Sequence, residues 1–196
     1  MPLRRDQGRV SAWPFGSLRM FSFDVIVVDP PWDFENYSKA GTKKGADPHY
    51  QVMSLAEIKA LPIGHLGRAD SIVLLWSIAP MLLEALDTLS AWDAKYLSQI
   101  VWRKVTRRGR VRIGTGYRVR SCHELVLLAS FGGRQCHTTF PSIFDGLARE
   151  HSRKPDEFYR MIVERTPNQE RCDLFSRETR AGFVGWGNEH GKFDQA

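Results

Sequence analysis

Apolar and β-branched residues cluster in short runs separated by polar or helix-patterned stretches. Phe23 to Val28 reads Phe-Asp-Val-Ile-Val-Val and then meets Asp29, Pro30 and Pro31. A proline has no N–H to give a central ladder, so the run predicts a buried strand that stops at Asp29. Ser54 and Glu57 have the spacing of a capping box, and Leu55, Ile58 and Leu61 follow at helical intervals until Pro62, which predicts a short helix. Ser71 to Trp76, Tyr96 to Trp102, Glu124 to Ser130 and Cys172 to Phe175 are further strand candidates, with Phe183 to Trp186 a sixth. Met81 to Trp92 and Pro155 to Arg165 carry helical periodicity, the latter with Asp156 and Glu157 in its first turn, where carboxylates suit the helix dipole. Strands alternating with helices predict an α/β fold.

Between these runs, positions 33–49 and 104–121 are polar and glycine-bearing and are expected as mobile loops beside a site. Without internal repeats or a Gly/Ser-rich linker, the 196 residues are expected to form a single domain, with 1–20 as an N-terminal extension. No apolar run approaches the ~20 residues a membrane helix needs, and no secretory leader is discernible, so a cytoplasmic location is expected. Cys122, Cys136 and Cys172 are odd in number and widely spaced, unlike a disulfide framework. The pairs Cys122-His123 and Cys136-His137 do not make a zinc site, because neighbours on a strand point to opposite faces and no Cys-x-x-Cys is present; no metal is expected.

The formal net charge of +6 favours a polyanionic partner, and its distribution sharpens that reading. Arg103, Lys104, Arg107, Arg108, Arg110, Arg112, Arg118 and Arg120 crowd one segment punctuated by Gly109, Gly114 and Gly116. Such a segment can grip phosphates, supplying affinity with little sequence choice; a solvated basic face is the plainer alternative.

The chemistry-bearing candidate is Asp29-Pro30-Pro31-Trp32 at the end of the first strand. By itself Asp-Pro-Pro is compatible with a mere turn. An exocyclic adenine amine is a poor nucleophile because its lone pair is delocalised into the ring. Asp29 and the Pro30 carbonyl could each accept an N6 hydrogen and stabilise the charge that develops during transfer, with Pro31 stiffening the turn. Trp32 offers a flat face for a base taken out of its stack.

The tetrapeptide resembles the signature of the MT-A family of adenine-N6 methyltransferases, to which the catalytic subunit of the messenger-RNA adenosine methyltransferase belongs. The likeness continues, in family order, through Tyr50-Gln51-Val52-Met53-Ser54, Leu74-Leu75-Trp76, Ile100 to Lys104, Gly114 to Tyr117, Lys154 to Tyr159, Leu174 to Arg177 and Gly185 to Asn188. It implies a Rossmann-like methyltransferase fold: a mostly parallel central sheet with helices on both faces, permuted so that the catalytic segment precedes the cofactor segment. It implies S-adenosylmethionine as cofactor, held by Asp29, Lys154, Asp173, Leu174, Phe175, Arg177, Asn188 and Glu189. Tyr50 and Glu124 would lie near the target nucleotide, with Arg107, Arg108 and Arg110 on its phosphates. Thr179 and Arg180 depart from the eukaryotic pattern at the ribose-contact positions, Ser176 stands for a glycine and Glu189 for a glutamine. Because the chain is compact and looks like bacterial or phage members, DNA is the expected substrate. RNA adenosine is the alternative, a catalytically silent nucleic-acid-binding subunit is a reading of another class, and a homodimer or heterodimer is compatible with either.

Overall fold

A computed structural model describes residues 13–33, 52–116, 118–132, 138–150 and 153–194. Seven strands form one mixed sheet: β1 (Phe23–Val28), β2 (Gly67–Ser77), β3 (Lys95–Val105), β4 (His123–Ser130), β5 (Ile143–Leu147), β6 (Arg171–Leu174) and β7 (Val184–Trp186). Their order is β5-β3-β4-β2-β1-β6-β7. The pairs β1·β2, β1·β6, β3·β5 and β6·β7 are parallel, and β4 runs antiparallel between β3 and β2. Both faces are covered. Helices α1 (Leu55–Lys59) and α2 (Leu82–Ala91) place Ile58, Ala85 and Leu89 in the cluster that takes Ile26, Val28, Val73, Leu75 and Leu127. Helix α3 (Asp156–Arg165) places Phe158, Tyr159 and Ile162 in the opposite cluster with Val25, Val27, Leu74, Trp76 and Val126. The period-2 alternation of each strand thus feeds two cores, which is why the central strands read as continuous apolar runs. The expected α/β fold, a mostly parallel sheet with helices on both faces, is the one observed and is consistent with the expected Rossmann-like architecture.

Strand β5 was not anticipated. Its sequence Ile-Phe-Asp-Gly-Leu is interrupted by Asp145 and Gly146, and it lies at the sheet edge with Ile143 exposed. The glycine is required by packing: a Cβ at Gly146 would stand 2.5 Å from Trp102 Nε1 and 2.7 Å from Pro155 Cβ. The Gly146 carbonyl accepts a 2.9 Å hydrogen bond from that same indole N–H. The strand expected over Cys172 to Phe175 begins and ends one residue earlier, because Phe175 turns into the left-handed region at φ 62°. The capping box at α1 forms in full, Ser54 and Glu57 exchanging hydrogen bonds.

The topology brings every strand end that matters to one edge. Strands β1, β2, β6 and β7 run the same way and β3 and β5 share that direction through antiparallel β4, so the carboxyl ends of six strands and the start of β4 lie together. From β1 the chain moves to β2 on one side, while β6 occupies the other. The crevice between the ends of β1 and β6 is therefore the switch point at which open α/β sheets hold their ligands.

Candidate active site

Asp29 leaves β1 at that switch point, its backbone N–H donating to the Leu174 carbonyl at 3.3 Å. Pro30 and Pro31 are buried, and the Trp32 N–H closes a tight turn on the Pro30 carbonyl at 2.8 Å. That bond uses one of the two lone pairs of the Pro30 oxygen and leaves the other for a ligand. The Pro31 carbonyl is tied to the Met53 N–H at 3.1 Å, and the Trp32 indole N–H donates to the Trp76 carbonyl at 3.1 Å. Both prolines and the half-buried indole are thus fixed from two directions, so the turn is rigid for reasons beyond its proline content.

Lys154, just before α3, reaches across to this turn. Its ammonium lies 3.0 Å from Asp29 Oδ1 and 3.1 Å from Glu124 Oε2, and 5.1 Å from the centre of the Trp76 ring. Glu124 Oε1 in turn accepts from Lys104 Nζ at 2.6 Å. Four alternating charges therefore run from β3 to the end of β1. Burial raises the Asp29 carboxyl above the ordinary carboxylate value; the Lys154 charge opposes the shift and Glu124 adds to it. Burial acts the same way on Glu124, but Lys154 and Lys104 together outweigh it and hold that carboxyl below its usual value. Desolvation works against the Lys154 ammonium, yet its two carboxylates more than offset this and it is held charged. Two carboxylates sharing one lysine are thus driven apart, Glu124 held below its usual value and Asp29 raised above it.

Beside Asp29, an open cleft is lined by Asp29, Arg153, Lys154, Tyr159, Asp173, Phe175, Ser176, Arg177, Glu178, Arg180 and Phe193. Asp173, on the α3 face of β6, is 3.4 Å from both the Tyr159 hydroxyl and Arg180 Nη1, and burial pushes its carboxyl up to about 7 despite Arg180. Arg180 stacks 3.6 Å from the Tyr159 ring centre and pairs with Glu178 at 3.0 Å. Glu178 also takes a two-point contact from Arg153, at 2.6 and 3.2 Å. Arg177 and Glu189 form a 2.8 Å ion pair that is not an aligned hydrogen bond, and Glu189 also meets Lys192 at 2.5 Å. Gly187, at φ 153°, lets this return segment pass over β6, since a Cβ there would lie 2.9 Å from Phe175 Cα.

Of the residues singled out in the sequence, Asp29, Lys154, Asp173, Phe175 and Arg177 line this cleft together. Leu174 is buried behind it, Glu189 is joined to it through Arg177, and Asn188 is an exposed turn residue after β7. Glu124 belongs to the neighbouring charge array. Arg107, Arg108 and Arg110 are exposed at the tip of a hairpin that extends β3: Val105 pairs with Val111, Thr106 N–H bonds to the Arg110 carbonyl, and Gly109 turns the chain at φ 71°. Tyr50, most of the 33–49 segment and the Cys136-His137 pair lie outside the described residues. Among the described residues no group of His, Cys, Asp and Glu could hold a metal, and no helix is long and apolar enough to cross a membrane. Arg153, Tyr159, Glu178 and Phe193 were not foreseen as lining the cleft, and Lys104, counted in the sequence among the phosphate-gripping cations, is instead paired with Glu124.

A model of the MT-A70 family matches residues 23–189. The chain is similar to the N(6)-adenosine-methyltransferase MT-A70-like protein of Arabidopsis thaliana, 28% identical over 86% of this chain and 24% of that protein. It is similar to the N(6)-adenine-specific methyltransferase METTL4 of Mus musculus, 24% identical over 88% of this chain and 38% of that protein. It also matches the type II methyltransferase M.MunI of a Mycoplasma species, 24% identical over 89% of this chain and 81% of that protein. The chain thus spans about a quarter of the plant relative and most of the Mycoplasma one.

Proposed function

The chain belongs to the MT-A70 family, whose methyltransferases use S-adenosylmethionine as methyl donor, and from that premise we propose that it methylates the N6 amine of adenine in a nucleic acid. The observation that carries the reading is the position of Asp29, at the switch point between the cofactor-type cleft and the Lys154–Glu124 array. The cleft suits a zwitterionic sulfonium cofactor, because it offers carboxylates for ammonium and hydroxyl groups and arginine and lysine for a carboxylate. The buried Arg180 Nε has no hydrogen-bond partner among the described residues and leaves a donor to spare. Asp29, Lys154, Asp173, Phe175 and Arg177 would hold the cofactor, with Glu189 reaching it beside Arg177. Bound there, S-adenosylmethionine supplies an electrophilic methyl group.

Asp29 accepts one N6 hydrogen and the second lone pair of the Pro30 carbonyl accepts the other, which frees the amine lone pair for bond formation. As the nitrogen becomes cationic it loses a proton, and Asp29, whose affinity for protons burial has raised, receives it. Trp32, braced by Trp76, supports the extruded base. Arg107, Arg108 and Arg110 contact phosphates.

DNA is the substrate we favour, reading the type II designation of M.MunI, the relative spanned over most of its length, as pointing there. RNA is the second reading, favoured by the N6-methyladenosine RNA methyltransferase MTA1 of Cryphonectria parasitica, 25% identical over 88% of this chain. Presenting one adenine-containing sequence as single-stranded DNA, duplex DNA and RNA, with tritiated cofactor, separates them. The highest kcat/KM is expected on DNA; a preference for RNA overturns that choice, and a second copy or partner subunit supplied in trans is required if the chain alone binds nucleic acid without turnover.

A further inference from the structure

Lys104 stands where two systems meet. Its side chain donates to Glu124 at 2.6 Å with the ammonium 4.9 Å from the Trp102 ring centre, and it is about a quarter exposed. Its backbone N–H donates to the Cys122 carbonyl at 2.9 Å, and its carbonyl accepts from Arg112 at 2.8 Å. The second bond roots the arginine-bearing hairpin that begins at Val105, and the first roots the strand returning from it, where Gly114 N–H meets the Ser121 carbonyl at 2.7 Å. One residue therefore holds both ends of the basic segment through its backbone and the site's fixed carboxylate through its side chain. Glu124 is opposite Trp102 in the β3–β4 register, two positions before Lys104 and on the same face, so the lysine reaches it diagonally. Arg103, the neighbouring cation, is taken by Asp145 and does not compete.

We propose that Lys104 is a positioning residue for methyl transfer: it orients Glu124 towards Lys154 and Asp29 and ties that orientation to the hairpin that meets the nucleic acid. The inference rests on the N6-methyltransferase reading. Without the Lys104 ammonium, Glu124 retains only Lys154, is free to turn into the vacated space, and draws Lys154 away from Asp29. The other cleft residues, Asp173, Phe175 and Arg177, are left in place.

The test compares Lys104→Met, which keeps the stem and removes the charge, with Lys104→Arg. Methyl transfer to adenine-containing oligonucleotide is followed together with cofactor affinity and the titration of the Glu124 carboxyl by carbon-13 NMR. That carboxyl faces Lys104 from β3, Lys154 from the segment before α3 and Asp29 from the end of β1, with His123 beside it on β4. Lys104→Met is expected to lower kcat roughly 10- to 100-fold, the scale set by slight misplacement of reacting groups, with a smaller change in cofactor affinity, which reads only the displacement of Lys154. It should also move the Glu124 midpoint upward, because one of two cations holding it down is lost. Lys104→Arg should restore most of kcat. Unchanged kcat, an unmoved Glu124 midpoint, or equal loss in both variants overturns the assignment of Lys104 while leaving the enzyme reading intact. No N6 methylation by the unsubstituted protein on DNA or RNA overturns the enzyme reading itself, and this proposal with it.

Discussion

At the scale of single residues, Asp173 and Glu124 show how similar burial gives opposite outcomes. Glu124 meets two lysines at close range and is held below its usual value, whereas Asp173 has only 3.4 Å contacts from Arg180 and the Tyr159 hydroxyl, and burial raises it to about 7 from a reference near 3.8. The sign follows directly: a carboxyl that binds its proton more tightly folded than unfolded stabilises the fold below the unfolded value, and that contribution is lost as pH climbs through the folded one. Thermal unfolding between pH 4 and 8 should therefore show a stability loss spread from about pH 4 to about pH 7 and levelling off above it. Asp173→Asn should lack it. An identical pH dependence in both proteins would mean that Arg180 compensates Asp173 fully. The rigid turn is tested separately by Trp32→Phe, which keeps a ring but removes the 3.1 Å bond to the Trp76 carbonyl. One such bond contributes about 1 kcal/mol, and a denaturant titration should register a loss of that size.

Elements carry the next level of the account. Gly146 in β5 sits against Trp102 and Pro155, so Gly146→Ala must push the indole or the chain leading from Lys154 into α3. Overpacking of this kind costs roughly 1–3 kcal/mol, measurable as a lowered denaturation midpoint, and an unchanged midpoint would show that the edge strand yields freely. For the hairpin, replacing Arg107, Arg108 and Arg110 with glutamine should weaken nucleic-acid binding at every sequence and lower the slope of log affinity against log salt by up to about 3. An unaltered slope would make the hairpin a bystander. Most of these elements were legible in the sequence. β1 could be read because a β-branched run meets two prolines, α1 because its capping box is local, and the two-faced core strands because they are continuous in apolar residues. β5 was not legible, since an edge strand holding Asp145 and Gly146 has no periodic signal. The site divides in the same way. Asp29 to Trp32 is contiguous and was visible, whereas the contact of Lys104 with Glu124 is created by the antiparallel register of β3 and β4, and the clasp of Arg153 and Arg180 on Glu178 by the meeting of β6 with the start of α3. Long-range register leaves no local pattern behind.

For the whole molecule, the sheet order gathers chemistry on one edge: the cofactor-type cleft at β6, the acceptor turn at β1, the charge array at β3 and β4, and the basic hairpin continuing from β3. A nucleic acid held by the hairpin would present its base across the array to Asp29, and the cofactor would approach from the other side. The central claim is that Asp29 does chemistry there and is not merely part of the fold. The most direct measurement is nucleoside analysis by mass spectrometry after incubation of the protein and of Asp29→Asn with S-adenosylmethionine and adenine-containing DNA and RNA, with cofactor binding followed by calorimetry on the same samples. The account predicts N6-methyladenine from the unsubstituted protein and at least a roughly 100-fold lower rate from the variant at saturating cofactor, a loss beyond whatever the calorimetry assigns to Asp29 as one of the cofactor's contacts. N6-methyladenine formed at equal rates by both proteins, or by neither, would contradict it.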